Sequence, residues 1–235
     1  MKTLFLIPTP ISEDTSGIPK QAIDVINNNT QFICERVRTS RRFIKSILKN
    51  YNIDASTFVE LDKRGEVAES IDIIFMLKSG NDICFMSEAG SPCIADPGSE
   101  LVTMARTYGY HIAPISGPSA IMMALMASGM NGQQFTFRGY LPVKKDSLKK
   151  ELKQIEKIIL QTGCTQIFIE TPYRNAQLYS HIVEAISATL RLHISFNING
   201  SDQFLQTMAI SKWKKDKNVE KRMKRKAPCI FILGI

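Results

Sequence analysis

Residues 83–98 read I-C-F-M-S-E-A-G-S-P-C-I-A-D-P-G, and this stretch decides the fold. Ile83 to Met86 are four consecutive apolar residues, which is typical of a short strand buried on both faces. Two glycines and two prolines follow, so we expect the strand to end in a loop of fixed shape. Ser99 is then suited to begin a helix. Ligands bind beyond the carboxyl ends of strands in α/β sheets, so this loop is a candidate ligand loop. A plain structural turn is the alternative.

The same strand, loop and helix pattern is repeated on both sides of this stretch. Strands are predicted at Leu4 to Ile7, Gln31 to Cys34, Phe58 to Leu61 and His111 to Ile115. Helices are predicted to start near Pro19, at Thr39 or Ser40, at Val67 and at Ile121, the third of them running to Lys78. Strands that alternate with helices favour a mostly parallel sheet with right-handed crossovers.

A second α/β unit is expected after the Gly and Pro break in F-R-G-Y-L-P at 137–142. We place the boundary there, which gives an N-terminal domain of residues 1–140 and a C-terminal domain of residues 141–235. The second domain is predicted to contain helices at Ser147 to Leu160 and Ala176 to Leu190. Its strands are expected at Thr165 to Glu170 and near 192–197, 206–210 and 229–233.

Composition limits the class of protein. The 235 residues are 44% hydrophobic, enough for a substantial core. The five cysteines and three histidines are scattered and contain no C-x-x-C pair, so neither a metal site nor a disulfide framework is expected. No signal peptide and no apolar run of bilayer length is visible, so we expect a cytoplasmic protein with no membrane association.

The net charge of +8 favours a polyanion or an acidic surface as partner. Basic residues concentrate in 36–49 and in 212–226. A solvated surface is the alternative for each. The second stretch has Trp213 as its only aromatic residue, so we expect it to be mobile and part of a nucleic-acid surface rather than a structural helix.

Several common site motifs are absent. The chain has no G-x-x-x-x-G-K-[ST], no G-x-G-x-x-G after its first strand and no G-x-S-x-G, which argues against a phosphate-loop nucleotidase, a standard dinucleotide fold and a serine hydrolase. The predicted strand-end loops are instead rich in small or rigid residues and poor in acid/base groups. This favours a cofactor cradle over a hydrolytic centre.

Four motifs in order carry a resemblance to a known family: S-E-A-G-S-P-C-I-A-D-P-G, G-P-S-A-I-M-M-A-L-M-A-S-G, F-R-G-Y-L-P and E-T-P-Y-R-N. Together they resemble the tetrapyrrole methylase superfamily and, within it, the subfamily of ribosomal RNA small-subunit methyltransferase I, which methylates a cytidine ribose 2′-oxygen. The resemblance implies two α/β domains with S-adenosylmethionine in the cleft between them, and usually a homodimer.

The resemblance also implies which residues hold that cofactor. The positions that match the family's motifs are Pro8, Gly90, Ser91, Pro92, Ile94, Ala95, Ser116, Ser119, Ala120, Tyr140, Leu141 and Thr171. Glu35 and Glu170 each end a predicted strand on the ligand edge, so they are candidate acceptors of a hydroxyl proton, with a surface or ion-paired carboxylate as the alternative. Arg38 and Arg41 are candidate contacts to a ribosomal RNA substrate.

The two segments that would face the substrate, after the first and the second predicted strand, depart from the subfamily pattern. Where the subfamily typically has P-T-P-I-G-N-L and E-D-T-R-x-T, this chain has P-T-P-I-S-E-D from Pro8 and E-R-V-R-T-S from Glu35. Three interpretations therefore stay open: an RNA methyltransferase, a methyltransferase of a tetrapyrrole or another small molecule, and a cofactor-binding protein without catalysis.

Overall fold

The computed structural model describes residues 1–61 and 70–235. Their contacts divide into two compact units, Met1–Ser119 and Ala120–Ile235. The boundary expected after residue 140 lies further along the chain. The difference arises because the helix that begins at Ala120 packs against strands of the second sheet, and the strand that ends at Tyr140 pairs within that sheet.

The first unit is built on a five-stranded parallel sheet. Its strands are β1 (Thr3–Ile7), β2 (Gln31–Cys34), β3 (Thr57–Glu60), β4 (Ile83–Met86) and β5 (His111–Pro114), arranged in the order β3-β2-β4-β1-β5. All neighbouring strands pair in parallel. The carboxyl ends of β4, β1 and β5 therefore lie side by side at one edge of the sheet.

Helices cover both faces of this sheet. The helices are α1 (Lys20–Asn27), α2 (Val37–Ile47), α3 (Ile71–Ser79) and α4 (Ser99–Thr107), and a 3-10 turn spans Ile53–Ala55. Apolar side chains of α1 and α2 pack in one cluster with Cys84 and Met86, while those of α3 and α4 pack in another with Ile83 and Phe85. The alternating side chains of β4 thus serve both cores, as expected for a strand buried on both faces.

The second unit contains a mixed five-stranded sheet. Its strands are β6 (Phe135–Tyr140), β7 (Thr165–Glu170), β8 (Arg191–Phe196), β9 (Phe204–Ala209) and β10 (Cys229–Gly234), in the order β6-β7-β10-β8-β9. Strands β6 and β7 are parallel, and the other pairs are antiparallel. Fold class was therefore predicted correctly: both units are α/β.

The helices of the second unit also lie on two faces. They are α5 (Ala120–Ser128), α6 (Lys145–Thr162), α7 (Asn175–Ala185), α8 (Ile210–Trp213) and α9 (Lys217–Met223). Apolar residues of α5 pack on Ile167, Ile230 and Ile232, and those of the other four helices pack in a separate cluster that includes Phe168 and Phe231.

The expectation that 212–226 does not form a structural helix is wrong, whereas its expected mobility stays a prediction. This part of the chain forms α8, a turn and α9, with Trp213, Val219 and Met223 buried. The Trp213 indole Nε1–H donates to the Leu192 carbonyl at 2.8 Å, and the Tyr179 hydroxyl donates to the Trp213 carbonyl at 2.8 Å. Few apolar side chains suffice because all three point into the same core.

Most strand bounds agree with the expectation to within two residues. The start expected for the third helix, Val67, lies outside the described residues. Within them, α3 begins at Ile71, and the Ser70 side chain caps it by accepting from the Ile73 backbone N–H. Among the described helices, none has both the length and the apolar content needed to cross a bilayer.

Candidate functional site

The candidate site of the first unit lies where β4, β1 and β5 end. Along the chain, β1 and β2 are followed by helices on one face of the sheet, whereas β4 is followed by α4 on the other. Because β4 lies between β1 and β2, the connection that leaves β4 runs to the opposite face of the sheet from those that leave its two neighbours. Such a switch point opens a crevice outside the carboxyl ends of the strands, which is where α/β proteins bind ligands.

Direct backbone contacts join the loops after β1 and β4. Thr9 N–H donates to the Gly90 carbonyl at 2.9 Å, and Gly90 N–H donates back to the Thr9 carbonyl at 3.0 Å. The Thr9 hydroxyl is buried and lies 3.3 Å from the Ser87 carbonyl. The loop after β4 is therefore fixed to the end of β1 by a two-way bridge, and Thr9 is a site residue that the sequence interpretation missed.

The loop after β5 packs on both of these segments. The Ser91 hydroxyl donates to the Pro118 carbonyl at 3.1 Å. A Cβ built on Gly117 would lie 2.1 Å from Cβ of Pro8, so only glycine lets the backbone approach the proline ring this closely. The three strand-end loops thus form one surface that contains eight of the predicted positions: Pro8, Gly90, Ser91, Pro92, Ile94, Ala95, Ser116 and Ser119.

The loop 87–98 holds strained backbone. Cys93 and Ala95 adopt positive φ of 66° and 64°, a conformation that disfavours side chains by about 1–2 kcal/mol per residue. At Gly98, φ is 132°, and a Cβ there would lie 2.5 Å from Cε1 of Phe85. Ile94 is 50% exposed, and Ala95 is exposed beside it. Strain of this kind, held next to an exposed apolar side chain, is characteristic of functional loops.

Three carboxylates gather beside this loop. Glu35 Oε2 accepts the Glu88 backbone N–H at 2.9 Å, so Glu35 ties the end of β2 to the loop after β4. Glu88 accepts a hydrogen bond from the Thr39 hydroxyl at 3.2 Å and lies 3.9 Å from Nε of Arg36. The third carboxylate, Asp96, is half-buried in the loop itself.

Burial and the nearby Glu35 carboxylate raise the pKa of Asp96 to about 6. The Ser87 hydroxyl is near enough to lower the pKa of Asp96 somewhat, yet the buried Ser87 Oγ meets the geometry of a hydrogen bond with no described residue. The Ser87 hydroxyl is therefore left without a hydrogen-bond partner in the part of the chain that the structure describes. Sequence reasoning missed both residues. The available signal was that Asp96 is the one acidic side chain between the two prolines of the motif.

Four predicted cofactor positions lie in the second unit. Ala120 is the first residue of α5, while Tyr140 and Leu141 follow β6 and Thr171 follows β7. Because β6 and β7 are parallel neighbours, their ends share an edge, and a bulge between Phe137 and Tyr140 changes the direction of β6 just before it ends. Tyr140 is 60% exposed, whereas Leu141 is buried in the core.

The second candidate proton acceptor, Glu170, is held by two neighbours. Its Oε1 accepts the Thr171 backbone N–H at 2.6 Å, and its Oε2 lies 2.8 Å from Nη2 of Arg174 in an ion pair without hydrogen-bond alignment. The carboxylate is buried, so the arginine compensates its charge. Both oxygens of this carboxylate are therefore already engaged by neighbouring groups.

The two candidate RNA contacts have different surroundings in α2. Arg38 is exposed. The Arg41 guanidinium donates to Asp54 at 2.7 Å and lies 5.4 Å from the centre of the Phe58 ring. Arg41 is thus partly engaged within its own unit. Within residues 1–61 and 70–235, no three histidine, cysteine or acidic side chains are grouped so that they could hold a metal ion.

Comparison with known proteins gives a consistent picture. Residues 3–228 match the profile of the family described as "Tetrapyrrole (Corrin/Porphyrin) Methylases". The chain is 30% identical over 208 residues to a protein of Vibrio cholerae named "Ribosomal RNA small subunit methyltransferase I", an overlap of 88% of this chain and 69% of that protein.

Proteins of the same name in two further organisms are similarly related. The one from Buchnera aphidicola is 31% identical over 86% of this chain and 67% of its own length. The one from Bacillus subtilis is 33% identical over 79% of this chain and 60% of its own length. The chain therefore matches about two thirds of the length of these relatives.

Proposed function

The chain belongs to the tetrapyrrole methylase family of S-adenosylmethionine-dependent methyltransferases, as its motifs indicated, and on that premise we propose that it methylates ribosomal RNA. The finer proposal is methylation of the 2′-oxygen of a cytidine ribose. The observation that carries the proposal is the convergence of three strand-end loops at the switch point of the first sheet. Methyl transfer needs an aligned, water-excluding site more than it needs acid/base groups.

The residues at this edge fit S-adenosylmethionine. The unpartnered hydroxyl of buried Ser87 is a polar group that a bound molecule can satisfy. A Cβ on Gly90 would come within 3.3 Å of Ile11 and 3.4 Å of the Pro118 carbonyl, so glycine keeps a narrow space open. When bound, the cofactor supplies a methyl group activated by a positively charged sulfur.

We assign the same positions to cofactor binding that the family motifs imply. In the first unit they are Pro8, Gly90, Ser91, Pro92, Ile94, Ala95, Ser116 and Ser119, and in the second Ala120, Tyr140, Leu141 and Thr171. The small side chains would leave room for the ligand, and exposed Ile94 would cover its apolar part. The carboxylates beside the loop would favour a cationic ligand.

A hydroxyl that accepts a methyl group must lose its proton. Glu35 and Glu170 are the proposed acceptors, and Glu35 is the better of the two because Glu170 is paired with Arg174. The raised pKa of Asp96 makes it a third candidate, since a base acts best when its pKa is near the working pH. We therefore propose that the proton leaves through the Glu35 and Asp96 pair.

Cofactor binding is the first test. Calorimetric titration with S-adenosylmethionine should give one site per chain. Ser91→Trp and Ala120→Trp should abolish the heat, because the indole would fill space next to the strand-end loops. Lys20→Trp, in an exposed part of α1, serves as a matched control and should bind normally. A folded parent protein that gives no heat would leave a scaffold or a different binding function.

The substrate is tested with labelled S-adenosylmethionine and purified small ribosomal subunits. Incorporated label should resist alkaline hydrolysis at one cytidine, because a 2′-O-methyl group blocks cleavage of the adjacent phosphodiester. Arg38→Ala and Arg41→Ala should lower the rate, and Arg38→Ala should do so without a loss of stability. Label that enters only small molecules would favour the alternative, a methyltransferase of a tetrapyrrole or another small metabolite.

We also propose a homodimer in the cytoplasm, as the family resemblance implies. Sedimentation equilibrium at two concentrations provides the test. A mass near twice 26.4 kDa at both concentrations is expected, and a mass of one chain at the higher concentration would contradict the proposal.

A further inference from the structure

Helix α6 presents a row of lysines to solvent. Lys145, Lys149, Lys153 and Lys157 follow one another at every fourth position, and Lys150 lies beside them; all five are exposed. Residues four apart lie above one another on a helix, about 6 Å apart along its axis. The row is therefore roughly 18 Å long. The buried residues of the helix, Leu148, Leu152, Ile155 and Ile159, form a stripe that borders the row at its Lys145 end, where Leu152 lines the same groove as Lys145 and Lys149.

A groove runs beside this row. It has a volume of about 240 Å³ and lies between α6 and α7, where Lys145, Lys149, Lys153 and His181 contribute to its walls. Acidic groups on or near the face are few: Asp146 in the first turn of α6, Glu156, and Glu184 in the groove. Both carboxylate oxygens of Glu156 are engaged within the chain. Oε2 pairs with Lys153, and Oε1 accepts the Ser187 backbone N–H at 2.6 Å. The face is thus strongly positive and has a concave border.

The lysine row is less engaged in internal contacts than the other basic segment of this unit. Among the ion pairs found in the described residues, the row takes part in one, between Lys153 and Glu156 at 2.8 Å. In the C-terminal segment, by contrast, Arg225 pairs with Asp202 at 2.6 Å, and Arg222 lies 4.6 Å from the centre of the Phe204 ring. Charges already paired within the chain have less to offer a partner.

We propose that this lysine face, Lys145, Lys149, Lys150, Lys153 and Lys157, binds the phosphate backbone of an RNA strand. The inference rests on the proposed RNA substrate and names the surface that would hold it. A regular row of flexible ammonium groups matches a regular row of phosphates, and it needs no fixed donor geometry. The groove beside it gives room for a sugar or a base that projects from the strand.

An acidic protein surface is the competing partner. The helix face contains no large exposed apolar residue between Lys145 and Lys157, whereas stable protein interfaces have an apolar or aromatic centre. Neutralisation of phosphates by lysines supplies most of the non-specific binding of nucleic acids, so the composition of the face favours RNA.

The test compares two variants that lose the same charge. In the first, Lys145, Lys149, Lys150 and Lys157 become Gln. In the control, Arg222, Lys224, Arg225 and Lys226 of the C-terminal segment become Gln; three of these four side chains contact Phe204, Asp202 or Tyr173. Binding to a fluorescent fragment of small-subunit ribosomal RNA is measured by anisotropy from 50 to 300 mM salt, with no methyl transfer required.

The first variant should bind about tenfold more weakly at 50 mM salt, and the slope of log K against log salt should become shallower by about 3, as expected for four lost contacts to a single strand. The control should keep the parental slope. Equal losses in both variants would overturn the inference and leave a general effect of net charge. If the parent binds cofactor but not RNA, the proposed substrate fails together with this surface. Unchanged thermal unfolding excludes misfolding of either variant.

Discussion

The loop 87–98 and the helices α8 and α9 both contain few large apolar side chains, yet they keep their shapes in different ways. The loop is held by its backbone: a two-way bridge to Thr9, positive φ at four residues and glycines packed against their neighbours. The two helices are held by four buried side chains, Ile210, Trp213, Val219 and Met223. The first arrangement fixes a geometry, and the second only attaches a charged segment to the core.

This difference predicts where single substitutions matter. In the loop, small changes of the backbone or one added methyl group should disturb the site. In α8 and α9, most surface charges should be replaceable, whereas the anchors should not be. Substitutions in the loop and at the buried anchors break this contrast to different degrees, from the largest expected effect on stability to the smallest.

Trp213→Ala should have the largest effect. Trp213 is completely buried, makes an edge contact with Tyr179 and donates to the Leu192 carbonyl. Removal of a fully buried Trp lowers the free energy of unfolding by about 3–5 kcal/mol. Urea denaturation measures it. Trp213→Phe keeps most of the packing but leaves a carbonyl without its donor, so about 1–2 kcal/mol is expected. A loss below 1 kcal/mol for Trp213→Ala would mean that the helices dock by charge after all.

Gly98→Ala tests the loop. Its Cβ would lie 2.5 Å from Phe85 Cε1 and 2.9 Å from Cys93 Sγ, at a φ that a side chain rarely adopts. We expect a loss of about 3 kcal/mol, together with loss of cofactor binding. Gly17→Ala is the matched control in the same unit, because nothing lies within 4 Å of its added Cβ. Normal cofactor affinity in Gly98→Ala would show that the loop does not need its present shape.

Asp96→Asn separates function from stability. The native pKa of Asp96, about 6, is above its ordinary value of 3.8. Between these values the native state binds more protons than the unfolded state, so stability falls as pH rises, and the penalty is fully present above pH 6. Asn removes that penalty. The variant should therefore melt at a higher temperature than the parent at pH 8, with little difference at pH 4.

The same variant should transfer methyl groups much more slowly while it binds the cofactor, and Glu35→Gln should share that defect more strongly than Glu170→Gln. Single-turnover rates measure this. An Asp96→Asn rate equal to the parent's would remove Asp96 from the proposed proton path.

Sequence patterns were sufficient to predict those elements whose bounds are set by residues adjacent in the chain. The strands Gln31–Cys34, Ile83–Met86 and Thr165–Glu170 agree with the prediction at both ends, because each is a run of strand-forming residues bounded by polar or turn residues. The anchors of α8 and α9 could not be predicted in this way. They belong to two short helices with a turn between them, so no single helical period connects Trp213 to Val219 and Met223.

The candidate site shows the same limit. The loop after β4 was identified from its glycines and prolines, which act on the local backbone. The bridge from Thr9 to Gly90 and the contact of Glu35 with Glu88 join segments far apart in sequence. The raised pKa of Asp96 depends on burial by those segments, so no spacing rule could have singled it out.

Ala95→Gly should have the smallest effect and a distinctive sign. Ala95 has a φ of 64°, which disfavours a Cβ by about 1–2 kcal/mol, whereas glycine loses roughly 0.5–1 kcal/mol more chain entropy on folding. The balance predicts a gain of about 0.5 kcal/mol in the free energy of unfolding. Ala89→Gly, at an exposed position of the same loop where φ is not positive, should lose about 0.5 kcal/mol instead. Opposite signs in chemical denaturation, combined with weaker cofactor binding by the more stable Ala95→Gly, would show that the loop stores strain to hold its shape. Two losses of equal size would show that Ala95 is an ordinary loop residue, and the contrast between a geometry-bearing loop and an anchored segment would then rest on Gly98 alone.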